Sequence, residues 1–196
     1  FPFEIDWKQS GLSLSTDSEL ISRVMESGAE LDGPLPRIIT GNETESDLSI
    51  LERMTDHDLS LALRSQRLTH DALGAMVIFA GPESLASLVT NPSVKDQSLP
   101  KSREQLLSDS MEIAWLVAKN VTSSQEAIES DSLRILTQGF IKTKNKRAAA
   151  LFASSDKLSD ENLRELALLG DELVAQSVLA NPQASDETKA LARIGM

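Results

Sequence analysis

The stretch VLANPQASDETKALARIG, Val178 to Gly195, ends an apolar run on Asn-Pro and starts another on Ser-Asp-Glu. Its skeleton is an apolar helix end, then Asn181, Ala184, Ser185 and Glu187. The same skeleton recurs upstream. Leu151-Phe152-Ala153 lead to Ser155, Leu158, Ser159 and Glu161; Leu116-Val117-Ala118 lead to Asn120, Ser124 and Glu126. Ala62-Leu63 lead to Ser65, Leu68, Thr69 and Asp71, and Leu88-Val89 lead to Asn91-Pro92, Val94, Lys95 and Gln97. A first copy runs from Ile38-Ile39 to Asn42 and Ser46, with Leu48 in place of the acid. The anchors Asn42, Ser65, Asn91, Asn120, Ser155 and Asn181 are separated by 23, 26, 29, 35 and 26 residues. Such a loose period lies near the lower end of helical-repeat lengths.

The chemistry of the unit is that of a helix corner. A short polar side chain ends a helix by tolerating the left-handed conformation or by bonding back to the backbone. Pro92 and Pro182 forbid a continued helix. Four residues after the anchor, Ser or Thr is placed to cap the next helix, worth about 1 kcal/mol. The acid two positions later meets the positive end of the helix dipole. Ser123 and Glu126 have the spacing of a capping box. Ordinary helix–turn–helix corners in any all-α chain produce similar patterns. The even hydroxyl-to-acid spacing favours a repeat, and the uneven steps count against it.

Val178–Gly195 resembles a unit of the leucine-rich repeat variant family, in which bacterial repeats carry an apolar-Ala-x-Asn-Pro step followed by an acid and Leu-Ala. Leu179, Ala180, Asn181, Pro182, Glu187, Leu191 and Ala192 stand approximately at those features, and LVTNPSVKDQ around Asn91 is a second, weaker match. The resemblance implies a right-handed solenoid of short helices, HEAT-like in style. Ser185 replaces the Pro often found before the acid, and the Cys cluster of some relatives is absent, so no iron–sulfur function carries over.

Composition agrees with stacked helices. Hydrophobic residues make up 40% and charged residues 25%, ordinary for a globular chain. Aromatics are 4%, with no Tyr, which suits closely packed helices better than a β-sandwich. The net charge of −11 disfavours broad contact with phosphate backbones or anionic lipid. Without Cys there are no disulfides, thiolate metal sites or Cys nucleophiles. That leaves the compartment open between cytoplasm and periplasm, with the cytoplasm the first expectation. The runs AMVIFA (Ala75–Ala80) and IAWLVA (Ile113–Ala118) fall far short of the roughly 20 residues a membrane span needs. Phe1 in place of Met reads as a processed chain or a piece of a longer one.

Along the chain, Phe1, Phe3, Ile5 and Trp7 stand in strict alternation with Pro2, Glu4 and Asp6. This predicts an extended arm over residues 1–17 that packs on the first helices or pairs with a partner protein as an added strand. Residues 18–196 then form the helical repeat domain. A helix is expected over Ser18–Ser27, capped by Thr16 or Asp17. LDGPLPR (Leu31–Arg37) reads as a loop, with Gly33-Pro34 and Pro36 as breakers. Further helices are expected over 46–55, 58–64, 70–80, 83–90, 101–118, 123–138, 145–153, 159–169, 171–180 and 185–194. Gly170 separates two of them as a C-cap, and VKDQSLPKS (Val94–Ser102) is the most loop-like internal stretch.

Candidate chemistry is sparse. His57 lies between Asp56 and Asp58, and His70 beside Asp71. Such a set can bind zinc or act as base and orienter, but it sits at helix starts, where capping accounts for the acids. Asp160-Glu161 and Asp186-Glu187 have the same explanation. No nucleophile elbow, dinucleotide fingerprint or phosphate loop occurs. IKTKNKR (Ile141–Arg147) is the one basic cluster; Lys142, Lys144, Lys146 and Arg147 read as a projecting loop that meets solvent, an acidic protein or, third, nucleic acid. The Ser185 corner also loosely resembles a helix-turn-helix, but its acidic second helix has the wrong charge for a major groove. Trp115 reads as core, although an exposed Trp at 7 or 115 would mark an interface.

Together these features predict an all-α, short right-handed α-solenoid of stacked hairpins with an extended N-terminal arm. The expected role is a non-enzymatic scaffold or adaptor in a larger bacterial assembly, with no cofactor, no metal and no membrane insertion. Its partner is another protein, met by Phe1, Phe3, Trp7, Lys142, Lys144, Lys146 and Arg147. The alternatives are a metal-dependent or enzymatic regulator using His57 and His70, and nucleic-acid binding through Lys142–Arg147.

Overall fold

The computed structural model describes residues 34–125 and 127–196. The expected arm with Phe1, Phe3 and Trp7, the helix over Ser18–Ser27, and Glu126 lie outside the described residues. Regular structure among the described residues is helical, with no strand. The chain divides into two compact units, with the boundary between Pro100 and Lys101. The division falls inside the loop-like VKDQSLPKS stretch.

In the first unit, α1 (Pro34–Thr40) precedes a 3-10 helix (Glu45–Arg53), α2 (Asp56–Ala62), α3 (His70–Phe79), α4 (Pro82–Thr90) and a single 3-10 turn (Asp96–Ser98). α2 packs on α4, and the long 3-10 helix packs on both α1 and α3. Their core holds Ile38, Ile39, Leu51, Leu59, Leu63 and Met76, all inaccessible to solvent.

The second unit contains α5 (Arg103–Asp109), α6 (Met111–Ser123), α7 (Ser130–Lys142), α8 (Lys146–Ala153), α9 (Asp160–Ala167), α10 (Glu172–Ala180) and α11 (Asp186–Ile194). Odd-numbered helices pack on one another in order, α5 on α7, α7 on α9 and α9 on α11. The even-numbered ones do the same, α6 on α8 and α8 on α10. Gly139 of α7 lets α5 approach closely, since a Cβ there would stand 3.1 Å from the Glu104 Cα and 2.6 Å from Leu107.

The corners explain why the sequence pattern recurs. Thr55, Ser110, Asn145 and Asp171 cap α2, α6, α8 and α10 through their side chains, and Gly81 occupies the same place before α4. Each lies ten residues before its anchor: Ser65, Asn91, Asn120, Ser155 and Asn181. Four residues past three of those anchors, Thr69, Ser159 and Ser185 cap α3, α9 and α11. The side-chain oxygen of Ser65, Asn91, Ser155 and Asn181 accepts the N–H two residues on, from Arg67, Ser93, Lys157 and Gln183. The anchors therefore work by bonding back to the backbone. The left-handed route is not used: no described non-glycine residue has positive φ, and Asn91 and Asn181 are extended. Gly170, at φ +63, is the left-handed residue between α9 and α10.

Anchors also tie a hairpin to the one before it. Asn91 Nδ2 donates to the carbonyls of Leu63 (2.7 Å) and Ser65 (2.8 Å). Asn181 Nδ2 donates to those of Ala153 (2.8 Å) and Ser155 (2.9 Å). Both bonds span 28 and 26 residues in each case. Ser65 reaches back the same way, from Oγ to the Ile39 carbonyl at 2.6 Å. Asn42, the expected first anchor, is exposed, and its side chain bonds only Thr40, two residues before it. Ser155 is followed by a substitute: Lys157 Nζ donates to the carbonyls of Val121 (2.6 Å) and Ser124.

Carboxylates tie the helix starts. Asp56 accepts the N–H groups of Gly81 (2.8 Å), Glu83 (2.9 Å) and Ser84 (3.1 Å), so it caps α4 from α2. Asp160 of α9 accepts the Ser185 N–H at 2.7 Å, at the start of α11. Asp47, buried in the 3-10 helix, accepts Arg37 Nε at 2.8 Å and the Thr44 N–H at 2.7 Å. Donation by Arg37 holds the Asp47 carboxyl far below its ordinary range, against the opposing effect of burial. At Asp56, burial pushes upward, but donation from the Ser84 hydroxyl and the three backbone N–H groups outweighs it and the result is lowered. Asp160 is lowered chiefly by the Ser185 N–H.

A folded-state pKa below the unfolded value means stability that is complete above the unfolded carboxylate pKa of about 3.9 and lost as pH falls through the folded values. Urea midpoints are thus expected to be level between about pH 5 and 7 and to fall steadily below about pH 4. Asp47→Asn should cost about 2 kcal/mol at pH 7, the Arg37 end of the pair being partly solvated, and should flatten the acid slope. An unchanged slope in that variant would remove Asp47 as a source of acid sensitivity.

Three sequence expectations are corrected. The breakers in Leu31–Arg37 predict a loop, yet helix begins at Pro34, the first described residue. A proline in the first turn lacks an N–H that would be unpaired there anyway, and buried Leu35, Ile38 and Ile39 hold the turn in place. The expected helix over 101–118 is two, broken at Ser110, which ends α5 and caps α6 by accepting the Ile113 N–H. The expected helix over 123–138 begins only at Ser130. Ser123 is the last residue of α6, its hydroxyl bonded back to the Lys119 carbonyl at 2.7 Å, so it does not open a capping box. Asn120 accordingly lies within α6 and does not end it.

Candidate functional site

Helix α6 buries Ile113, Ala114, Val117, Ala118 and Val121, a stripe at helical spacing that faces the core. Trp115 sits two residues from both Ile113 and Val117, which turns it to the opposite face. Its surface is 41% exposed, so the expected core position is corrected. Met111, one turn earlier on that face, is 60% exposed, and Lys119, one turn later, is exposed too. The signal was legible in the spacing, but the unbroken apolar run IAWLVA hid it.

The basic cluster lies at the start of this helix. Lys142 is the last residue of α7, and Lys146 and Arg147 open α8. Between them only Thr143–Asn145 form the corner, so the cluster does not project as a loop. Asn145 fixes it: Oδ1 accepts the Ala148 N–H at 3.0 Å to cap α8, while Nδ2 donates to the Met111 carbonyl at 2.8 Å. One amide thereby holds the start of α8 against the start of α6. Lys142 pairs with Glu104 of α5. Lys144 and Arg147 are exposed and Lys146 is half-buried; none of the three has a carboxylate partner among the described residues. The structure therefore ties the corner that carries Lys144, Lys146 and Arg147 to the start of α6 at the Met111 carbonyl, while Lys142 is held to α5.

His57 and His70 are both exposed and both lie in first helical turns, of α2 and α3. His57 Nδ1 meets Glu83 Oε1 at 2.6 Å, a solvated pair between α2 and α4. Thr55 and Thr69, not the histidines, cap the two helices. Among the described residues no group of three or more His, Asp or Glu is placed to hold a metal, and no helix is long and apolar enough to cross a membrane.

Comparison with protein-family models, curated proteins and solved structures gave no match.

Proposed function

We propose that this chain is a non-enzymatic protein-interaction module whose docking face is the outer side of α6 with the adjoining start of α8. The observation that carries the reading is Trp115 standing exposed beside Met111 on a helix whose other face is already buried. Large rigid aromatics on a surface are the residues that anchor protein interfaces. The bonds that repeat between corners at 26- and 28-residue offsets support stacked hairpins, a short α-solenoid in the manner of the leucine-rich repeat variant and HEAT-like families. Such stacks present continuous surfaces suited to scaffold and adaptor roles.

The test is cross-linking mass spectrometry on the full chain in its native host, wild type against Trp115→Asp. A reproducible partner cross-linked to Lys144 or Lys146 in the wild type and depleted at least about tenfold in the variant is the expected result. A partner set identical for the two proteins would overturn the reading.

A further inference from the structure

We infer that the segment docked on this face is an acidic peptide segment of another protein, carrying an aromatic or branched aliphatic anchor. The inference rests on the docking reading above and adds the chemistry of the partner.

Charge sets the chemistry of the partner. The whole chain carries a net −11, so most of its surface repels acidic partners. Residues 142–147 are the exception, with Lys142, Lys144, Lys146 and Arg147 and no acid among them. Lys142 is committed to Glu104, which leaves three cations at the mouth of the α7–α8 corner. Lys119 adds a fourth at the far end of the Trp115 face, one turn beyond the indole. Glu112 is the only acid in the α6 sequence, at its second position. Glu112 is exposed three residues before Trp115, and Asp109 is paired with Lys101. Against these, an apolar anchor on Met111 and Trp115 has Lys119 one turn along α6 and, at the other end, the basic corner tied to the Met111 carbonyl. A ligand satisfies both parts only if it carries apolar bulk and negative charge within a short length.

The first unit supplies a contrast. Ile78 and Phe79, at the end of α3, are also exposed, but the turn they enter is bonded to Asp56 through the Gly81 N–H and continues into Glu83. The sequence around that apolar pair, residues 68–94, carries no Lys or Arg, so exposure alone does not define the partner. Nucleic acid is the lesser fit for the basic corner. A phosphate backbone gains nothing from Met111, and −11 of net charge opposes its approach.

The test is selection from a displayed library of random 16-residue peptides against the full chain, followed by titration of enriched peptides. Trp115→Ala and the double reversal Lys146→Glu with Arg147→Glu are titrated alongside; all three positions are at least partly exposed, and circular dichroism checks that the variants are folded. Enriched peptides should be net acidic with an aromatic or aliphatic anchor. Their affinity should fall at least about tenfold in Trp115→Ala and about tenfold in the double reversal, and should weaken as salt rises. Peptides that need Trp115 but are neutral or basic, and that ignore the reversal, would overturn the acidic partner while leaving the docking face intact. Enrichment independent of Trp115, or no enrichment, would overturn both. Tight binding of a 20-nucleotide single strand or duplex at low salt, abolished by the double reversal, would reassign the corner to nucleic acid.

Discussion

Replacing Phe152 by Ala is expected to destabilise the chain by about 3–5 kcal/mol. Phe152 of α8 is wholly buried and stacks on Phe140 of α7, their ring centroids 4.2 Å apart and their planes inclined by 22°. The chain has only 5 Phe, so its second unit places two of its few large rings at one junction between helices. The neighbours on α8 are Ala148, Ala149 and Ala153, all buried and too small to fill a void. Truncation loses the transfer energy of the ring, leaves a cavity and removes a stacking contact worth about 1 kcal/mol. Urea unfolding followed by far-ultraviolet circular dichroism measures the effect. Phe152→Leu should retain much of the stability, because it keeps branched apolar volume at the site. A loss below about 1 kcal/mol in Phe152→Ala would mean that this junction is loosely packed.

What the sequence made legible was local chemistry. Anchors, hydroxyl caps and first-turn acids need only a few neighbouring residues, and Ser159, Ser185 and Thr69 cap helices where the spacing placed them. What it hid depended on partners far along the chain. Asn42 fits the anchor spacing as Asn91 does, yet its side chain bonds Thr40 two residues before it, whereas the Asn91 amide spans 28 residues to the Leu63 carbonyl. The helix start at Pro34 was hidden because proline is both a breaker and a favoured first-turn residue, and the buried Ile38 and Ile39 decide between them. Likewise the 35-residue step from Asn120 to Ser155 reads as an irregularity until Lys157 is seen bonding the end of α6 in the anchor's place. The candidate site shows the same division. The basic residues are evident as a run, but their place at the start of α6 comes from Asn145 bonding the Met111 carbonyl across 34 residues.

Asn181 supplies the second large effect. Its amide donates to two buried carbonyls, its oxygen accepts the Gln183 N–H, and the residue is itself buried. Asn181→Ala should cost about 2–4 kcal/mol, because it strands acceptors that water cannot easily reach. Asn181→Asp should cost at least as much despite its shape, since a carboxylate has no N–H to give and would face two carbonyl oxygens. Asn91→Ala should cost a similar amount, because the same three bonds recur there at matching offsets. Ser65→Ala should cost less, about 1 kcal/mol, since only one hydroxyl bond reaches back, to Ile39. Urea midpoints of the four variants decide the matter. If Asn91→Ala and Asn181→Ala are equally damaging, the two corners are one structural device used in both units, and the sequence period has an energetic basis. If either is within about 0.5 kcal/mol of wild type, the carbonyls are served by solvent and that corner is an ordinary turn that only looks like the other.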